Sequence, residues 1–94
     1  MSKLTEMARG RECMVRLPGC GDSSTVVLAH FRLAGLCGTS SKPDDLLGAW
    51  CCFNCHNLVD GRTKSTETRD YLRLALAHGV MRTIAQLRKE GVKL

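Results

Sequence analysis

Apolar residues recur at helical spacing in the last third of the chain. Leu72, Ala75 and Leu76 fall on one face of a helix, and the polar residues 65–68 before it offer N-cap side chains. Gly79 predicts the end of this helix, because glycine is common just beyond a C-terminal turn. This stripe is most simply interpreted as a contact with the core.

A second apolar stripe predicts a final helix over residues 80–90. Met81, Ile84 and Leu87 share one face of it, and Gly91 predicts its end. This stripe also has the character of a core contact, so neither stripe indicates a function.

The first two thirds of the chain contain shorter apolar runs. Residues 25–31 are β-branched at their start and follow a polar turn, which predicts a strand, and residues 44–51 predict a second short strand or turn. We expect a helix over residues 53–59 with Gly61 as its stop, and a short helix over residues 3–9. Together these elements predict an α+β fold.

The composition leaves little material for a hydrophobic core. The 94 residues include only four aromatic side chains, and a chain of this length buries a smaller fraction of its surface than a long one. We expect one domain over residues 1–94, for which a structural metal ion would be an ordinary support.

Six cysteines in so short a chain indicate either disulfides or metal binding. Residues 1–6 lack the apolar run of a signal peptide, and no later stretch is long enough to cross a membrane. We therefore expect a cytoplasmic protein with no membrane partner. Because cytoplasmic thiols stay reduced, metal binding is favoured over disulfides.

Two cysteine pairs have the spacing of a structural zinc site. Cys13 and Cys20 form a C-x6-C pair, and Cys52 and Cys55 form a C-x2-C pair. Zinc prefers tetrahedral thiolate ligation, and such sites are often built from two pairs that the fold brings together. The alternative is four reduced core cysteines without metal. Two further cysteines are expected to be small buried side chains, Cys37 and Cys51.

The charge permits a nucleic-acid partner without requiring one. Fourteen Lys and Arg residues against nine Asp and Glu residues give a formal charge of +5. Four thiolates around Zn²⁺ would change this by about −2, which leaves roughly +3. A basic excess of this size is equally typical of an ordinary solvated surface.

One histidine directly follows the second cysteine pair. A zinc ion held by four cysteines has no room for a fifth ligand, so His56 needs another role. If His56 opens a helix, Asp60 lies one turn later on the same face, and the two could bind one divalent cation. Such a cation could take part in the hydrolysis of a phosphodiester bond. This reaction also needs a general base, for which His30 is the candidate. The third histidine, His78, precedes Gly79 and is expected at a helix C-terminus.

Three segments carry a resemblance to a known superfamily. Residues 27–30 (VLAH), 45–47 (DLL) and 52–56 (CFNCH) resemble the H-N-H nuclease signature on a ββα-metal fold, over about residues 10–64. The whole chain also resembles the small YbcO-type family of proposed prophage nucleases. This resemblance includes residues 29–30 (AH), 35–38 (GLCG), 42–43 (KP) and the pattern H-x3-D-x-R over residues 56–62. The resemblance implies a zinc-stabilised HNH-like core over residues 10–64, with C-terminal helices over residues 65–94.

The resemblance also implies roles for individual residues. His30 takes the position of the general base, and His56 takes the position of the metal ligand on the helix. Asp45 stands where the middle Asn of the signature shapes the loop and orients the base, and Asp60 matches a second ligand position. The residue before the base is commonly a metal ligand in the superfamily, but here it is Ala29. Two protein ligands then remain, which Mg²⁺ or Mn²⁺ tolerates by keeping several waters.

Basic residues near these positions could bind phosphate. Arg32 and Arg62 bracket the expected site in sequence, and a guanidinium can pair bidentately with a phosphate. The leading hypothesis is a metal-dependent endonuclease that acts on DNA. The alternatives are a catalytically inactive, zinc-containing DNA-binding module and an adaptor with a protein partner in phage recombination or repair.

Overall fold

Two short antiparallel strands organise the fold. The computed structural model describes residues 3–21, 23–31 and 45–93. Strand β1 (Val27–His30) pairs with β2 (Gly48–Cys51) so that His30 lies opposite Gly48. Both predicted strands are present, although β1 begins two residues later than expected because Ser23–Thr25 form a 3₁₀ turn.

The outer edge of β2 is covered by two other parts of the chain. The Met14 N–H donates to the Trp50 carbonyl at 2.7 Å, and the Trp50 N–H donates to Thr83 Oγ1 at 3.0 Å. Thr83 is 1% exposed and is the buried polar side chain of the described core. These bonds satisfy backbone groups that an edge strand would otherwise leave unpaired.

Helix α2 (Phe53–Asp60) follows β2 after a single residue. It ends at Gly61, whose φ of 78° is left-handed and whose N–H bonds to carbonyls of the last turn. The predicted helix and its stop are therefore confirmed. At the N-terminus, α1 (Lys3–Met7) is shorter than the helix expected over residues 3–9.

The C-terminal region is one continuous helix, α3 (Arg69–Lys89). The prediction that Gly79 ends a helix was wrong, and so was the placement of His78 at a helix end. Gly79 is buried in the middle of α3, where an added Cβ would lie 2.8 Å from Val15 Cγ2 and 3.1 Å from Ala49 Cβ. The glycine therefore allows close packing of α3 on its neighbours and does not mark a helix end.

The N-terminus of α3 follows the predicted capping chemistry. Thr68 has an extended backbone, and its side-chain oxygen accepts from the Tyr71 N–H at 3.1 Å. This bond satisfies one of the N–H groups that a first helical turn leaves without a partner. The apolar stripes of the two expected helices lie on this one helix, where Leu72, Leu76 and Leu87 are buried.

The core lies between the hairpin, α3 and the segment before β1. Trp50 is 2% exposed and is the largest side chain that is fully buried. The Arg11 guanidinium lies 4.6 Å from its ring centroid and forms a two-pronged ion pair with Glu90, which ties the N-terminal segment to the end of α3. The predicted α+β class is confirmed. Within the described ranges, no helix has both the length and the apolar character needed to span a membrane.

Candidate functional site

Four cysteines converge as the two pairs in the sequence predicted. The Sγ atoms of Cys13, Cys20, Cys52 and Cys55 all lie within 4.8 Å of one another. Three of these side chains are buried, and Cys20 is half-buried. None of the five described cysteines forms a disulfide. The cluster is therefore a set of reduced thiols that converge on one point.

The start of α2 positions the C-x2-C pair. Cys52 is the N-cap residue with an extended backbone (φ −73°, ψ 166°), and its side chain makes no capping hydrogen bond. Cys55 lies in the first turn of the helix, so both sulfur atoms lie at the same helix end. The positive end of the helix dipole favours thiolates at this position.

A tight loop returns the first cysteine pair to the same point. Arg16 has a left-handed backbone (φ 61°), and the Cys20 N–H closes a turn onto the Leu17 carbonyl at 3.0 Å. The Asn54 side chain donates to the Pro18 carbonyl at 3.0 Å and so fastens this loop to α2. The Pro18-Gly19 pair directly before Cys20 favours such a turn.

The thiols of the cluster shift one another's pKa values. Hydrogen bonds from Cys51 and then Cys55 lower the pKa of Cys13. The thiol of Cys13 in turn raises the pKa of Cys55 to about 11, and burial raises the pKa of Cys20. One thiolate therefore opposes the ionisation of its neighbours, and a divalent cation is what stabilises all of them as thiolates.

The distances agree with a zinc ion. Zinc bonded to four sulfurs at about 2.3 Å holds those sulfurs about 3.8 Å apart, which lies inside the 4.8 Å limit of this cluster. The four cysteines could therefore hold a metal ion such as zinc. An ion bound there would join the loop of the first pair to α2 and so hold α2 against the rest of the fold.

A fifth thiol lies against this cluster. Cys51 is fully buried, as the sequence predicts, and its Sγ lies 3.6 Å from the Cys52 carbonyl as a donor. The thiol of Cys13, then that of Cys55, and burial all raise the pKa of Cys51. Cys51 is therefore a protonated neighbour of the cluster that donates to the Cys52 carbonyl, a contact that its position in sequence does not reveal.

The second cluster begins at the end of β1. His30 Nε2 lies 2.6 Å from Asp45 Oδ1, and both side chains are partly exposed. Asp45 opens a 3₁₀ turn (Asp45–Leu47) directly before β2. Because Gly48 pairs with His30 and the Phe31 N–H bonds to the Leu47 carbonyl at 2.7 Å, the hairpin register places this turn beside His30.

The His56 and Asp60 side chains meet on one face of α2, as their spacing predicts. His56 Nε2 lies 3.1 Å from Asp60 Oδ2, and the exposed Arg62 guanidinium lies 3.8 Å from the same oxygen. Two adjacent ligands of an octahedral Mg²⁺ at about 2.1 Å are about 3.0 Å apart. The 3.1 Å spacing of the pair is therefore compatible with two adjacent ligands of one such cation.

One residue of the His30–Asp45 pair and one residue of the His56–Asp60 pair line the same cavity of about 170 Å³. His30 and Asp60 line it together with Val59, Leu76 and two arginines of α3, Arg69 and Arg73. Sequence reasoning missed these arginines. Their i, i+4 spacing shows that they share a face of a helix, but it does not show that this face lines the same cavity as His30.

Three other residues were singled out in the sequence: Arg32, Cys37 and Ala29. The predictions for Arg32 and Cys37 fall outside the described residues. Ala29 is 3% exposed, and its side chain belongs to the core. Because successive side chains of a strand point to opposite faces, the residue before His30 faces away from it into the protein. His56 and Asp60 therefore remain the two candidate ligands of this cluster.

The fold and its clusters define a small α+β protein with a cysteine cluster able to hold a metal ion and a histidine–carboxylate cluster next to it in sequence. The chain belongs to the family described as "Putative nuclease YbcO", which matches residues 2–92. The resemblance to this family that its sequence motifs carry is therefore confirmed.

Relatives match nearly the whole chain. The "Putative nuclease YbcO" of Escherichia coli (strain K12) is 46% identical over 94 residues, with 98% of this chain and 97% of that protein covered. The "Putative nuclease ybcO" of Enterobacteria phage 82 matches to the same extent. A solved structure of "a putative bacteriophage protein" from Escherichia coli K-12 matches with a TM-score of 0.75 and 39% identity, over 90% of this chain and 95% of that one.

Proposed function

We propose that this protein is a metal-dependent endonuclease that hydrolyses phosphodiester bonds in DNA on an HNH-like ββα core. The observation that carries the proposal is the cavity shared by His30 and Asp60, since it brings a potential base and a potential metal ligand to one space. The order of β1, β2 and α2 agrees with a ββα core. Membership in a family described as a nuclease supports the same reaction class.

His30 acts as the general base in this proposal. Asp45 accepts the Nε2–H of His30 across 2.6 Å, which leaves the Nδ1 lone pair to take a proton from water. The same carboxylate stabilises the imidazolium that forms when the proton is transferred. Asp45 is therefore a positioning residue for the base, and it holds the ring in one tautomer and one orientation.

His56 and Asp60 hold the catalytic cation. A Mg²⁺ or Mn²⁺ ion bound there supplies positive charge that stabilises the developing charge on the phosphate. Arg62, 3.8 Å from Asp60, can pair with a phosphate oxygen once Asp60 binds a cation. The proposed zinc ion has a separate role, because it holds the start of the helix that carries both ligands.

The test is a plasmid-nicking assay with Mg²⁺ or Mn²⁺. His30→Ala should lower the cleavage rate by about 10²- to 10⁴-fold, the usual contribution of a general base. His78→Ala is the matched control, because it removes an exposed histidine of α3 that lies outside this cavity. Equal cleavage by the wild type and His30→Ala would refute the assignment of the base. No cleavage by the wild type with either metal would refute the activity.

One observation favours a second candidate function, a DNA-binding module without catalytic activity. Ala29 is buried in the core, so the residue before His30 supplies no third protein ligand to the cation. Such a module would bind DNA with a steep dependence on salt and would show no turnover with any divalent metal. The nicking assay therefore separates the two candidates.

A further inference from the structure

We propose that Arg69 and Arg73 form a binding site for a backbone phosphate of the nucleic acid, in the cavity that His30 and Asp60 also line. The inference rests on the proposed function only for the identity of the ligand as nucleic acid. The sequence points to other arginines for this role, Arg32 and Arg62. The assignment of Arg69 and Arg73, which lie on α3, is made from the fold.

The lining of the cavity is the first argument. Its six residues comprise two guanidinium groups, one imidazole, one carboxylate and two apolar side chains. The carboxylate of Asp60 already pairs with His56 and Arg62. The lining thus contains two guanidinium groups and one carboxylate, a net positive charge that favours an anion in this space. Its volume of about 170 Å³ exceeds that of several water molecules at about 30 Å³ each.

Arg69 is held in place by the end of α2. Its Nη1 donates to the Val59 carbonyl at 3.0 Å, one of the carbonyls that the last helical turn leaves without an intrahelical partner. This bond uses one of the five N–H donors of the guanidinium. The group is thereby oriented next to Asp60, the last residue of the same helix, at the loss of a single donor.

Arg73 is held in place by an aromatic ring. Its guanidinium lies 4.7 Å from the centroid of Phe31, the residue directly after His30. A guanidinium over a ring face keeps its N–H donors at the edge of its own plane, where they can still bind a phosphate oxygen. The stacking therefore orders the side chain beside the general base and still allows anion binding.

The spacing of the two arginines is an independent argument. Like charges at i and i+4 of a helix repel each other, so the two guanidinium groups share one face of α3 at a small cost to the helix. A phosphate bound between the two guanidinium groups removes this repulsion and can accept from both. Arg69 and Arg73 are thus arranged as a two-pronged clamp for one anion.

The test is DNA binding, measured by the fluorescence anisotropy of a labelled duplex and of a labelled single strand, without added Mg²⁺ or Mn²⁺. Arg69→Gln and Arg73→Gln should each weaken binding about tenfold. Each should also reduce the slope of log affinity against log salt by about 1. Arg73→Lys keeps the positive charge and loses the bidentate geometry of the guanidinium. It should therefore have the salt dependence of the wild type and an affinity between those of the wild type and Arg73→Gln.

Arg88→Gln is the matched control on the same helix. It removes the same charge from an exposed position about 22 Å further along α3. This distance exceeds the screening length at physiological salt, so its effect should stay below about twofold. Thermal unfolding reports on the fold. If Arg69→Gln lowers the melting temperature because it uncaps α2, then the DNA affinity of Arg73→Gln, measured on the folded protein, decides the matter.

Three outcomes would overturn the clamp: equal weakening by all three Gln variants, no weakening by Arg73→Gln, and absence of DNA binding by the wild type. The catalytic proposal fails separately. A wild type that binds DNA through Arg69 and Arg73 but never cleaves it refutes the nuclease and leaves the clamp intact. If Arg69→Gln and Arg73→Gln both bind and cleave DNA as the wild type does, the clamp is refuted and the nuclease proposal is not affected.

Discussion

Replacement of Gly79 by alanine tests how closely α3 packs on the hairpin. In an exposed helix this change would stabilise the protein, because alanine has the highest helix propensity and glycine one of the lowest. At this position the added Cβ would lie 2.8 Å from Val15 Cγ2, 3.1 Å from Ala49 Cβ and 3.3 Å from Val15 Cα. The sign of the effect therefore depends on whether these neighbours can move.

The structure indicates that they cannot move cheaply. Val15 is β-branched and 3% exposed, and Ala49 lies on the fully buried β2. The propensity gain is about 1 kcal/mol, while an extra methyl group forced into a packed core costs about 1–3 kcal/mol. We expect Gly79→Ala to lower the free energy of unfolding, by up to about 2 kcal/mol. For a domain of this size each kcal/mol corresponds to a melting shift of about 4–8 °C.

The measurement is urea unfolding followed by circular dichroism at one fixed zinc concentration, because a bound ion changes the apparent stability. Ala85→Gly, at an exposed position of α3, gives the propensity effect alone and should cost about 1 kcal/mol. The double variant Gly79→Ala, Val15→Ala removes the nearest clashing atom. It should show a favourable coupling between the two changes. A stabilisation of about 1 kcal/mol by Gly79→Ala would refute the argument.

Two further predictions concern the zinc cluster and the ion pair between the ends of the chain. Cys13→Ser should reduce bound zinc from about one equivalent per chain to much less and lower the melting temperature, since a hydroxyl is a poor substitute for a thiolate ligand. Cys51→Ala should keep its zinc, and full zinc content in Cys13→Ser would contradict the assignment. For Glu90, the Arg11 guanidinium lowers the carboxyl pKa from its usual 4.5 to about 2. The stability from this pair is therefore complete above pH 4.5 and lost as the pH falls through about 2. The difference in melting temperature between the wild type and Glu90→Gln should shrink over that range, and a difference that stays constant with pH would contradict this account.

Local spacing in the sequence determined where the C-x2-C pair and the His56–Asp60 pair lie on α2. The C-x2-C pair spans the N-terminus of α2, where residues three apart share one side of the first turn. The spacing of His56 and Asp60 similarly placed their side chains on one helix face, 3.1 Å apart. Gly61 ended α2 as expected because its left-handed φ of 78° suits glycine. Such features depend on backbone geometry over a few residues, which the sequence specifies directly.

Only the tertiary structure decided which faces meet. Gly79 has the sequence signature of a helix stop, but packing against Val15 made it an interior contact of α3. The sequence shows only that Arg69 and Arg73 are two basic residues on one helix face. The fold places that face in the same cavity as His30. The physical reason is that periodicity defines the faces of one element, whereas their partners depend on the shape of a core built from residues far apart in the chain.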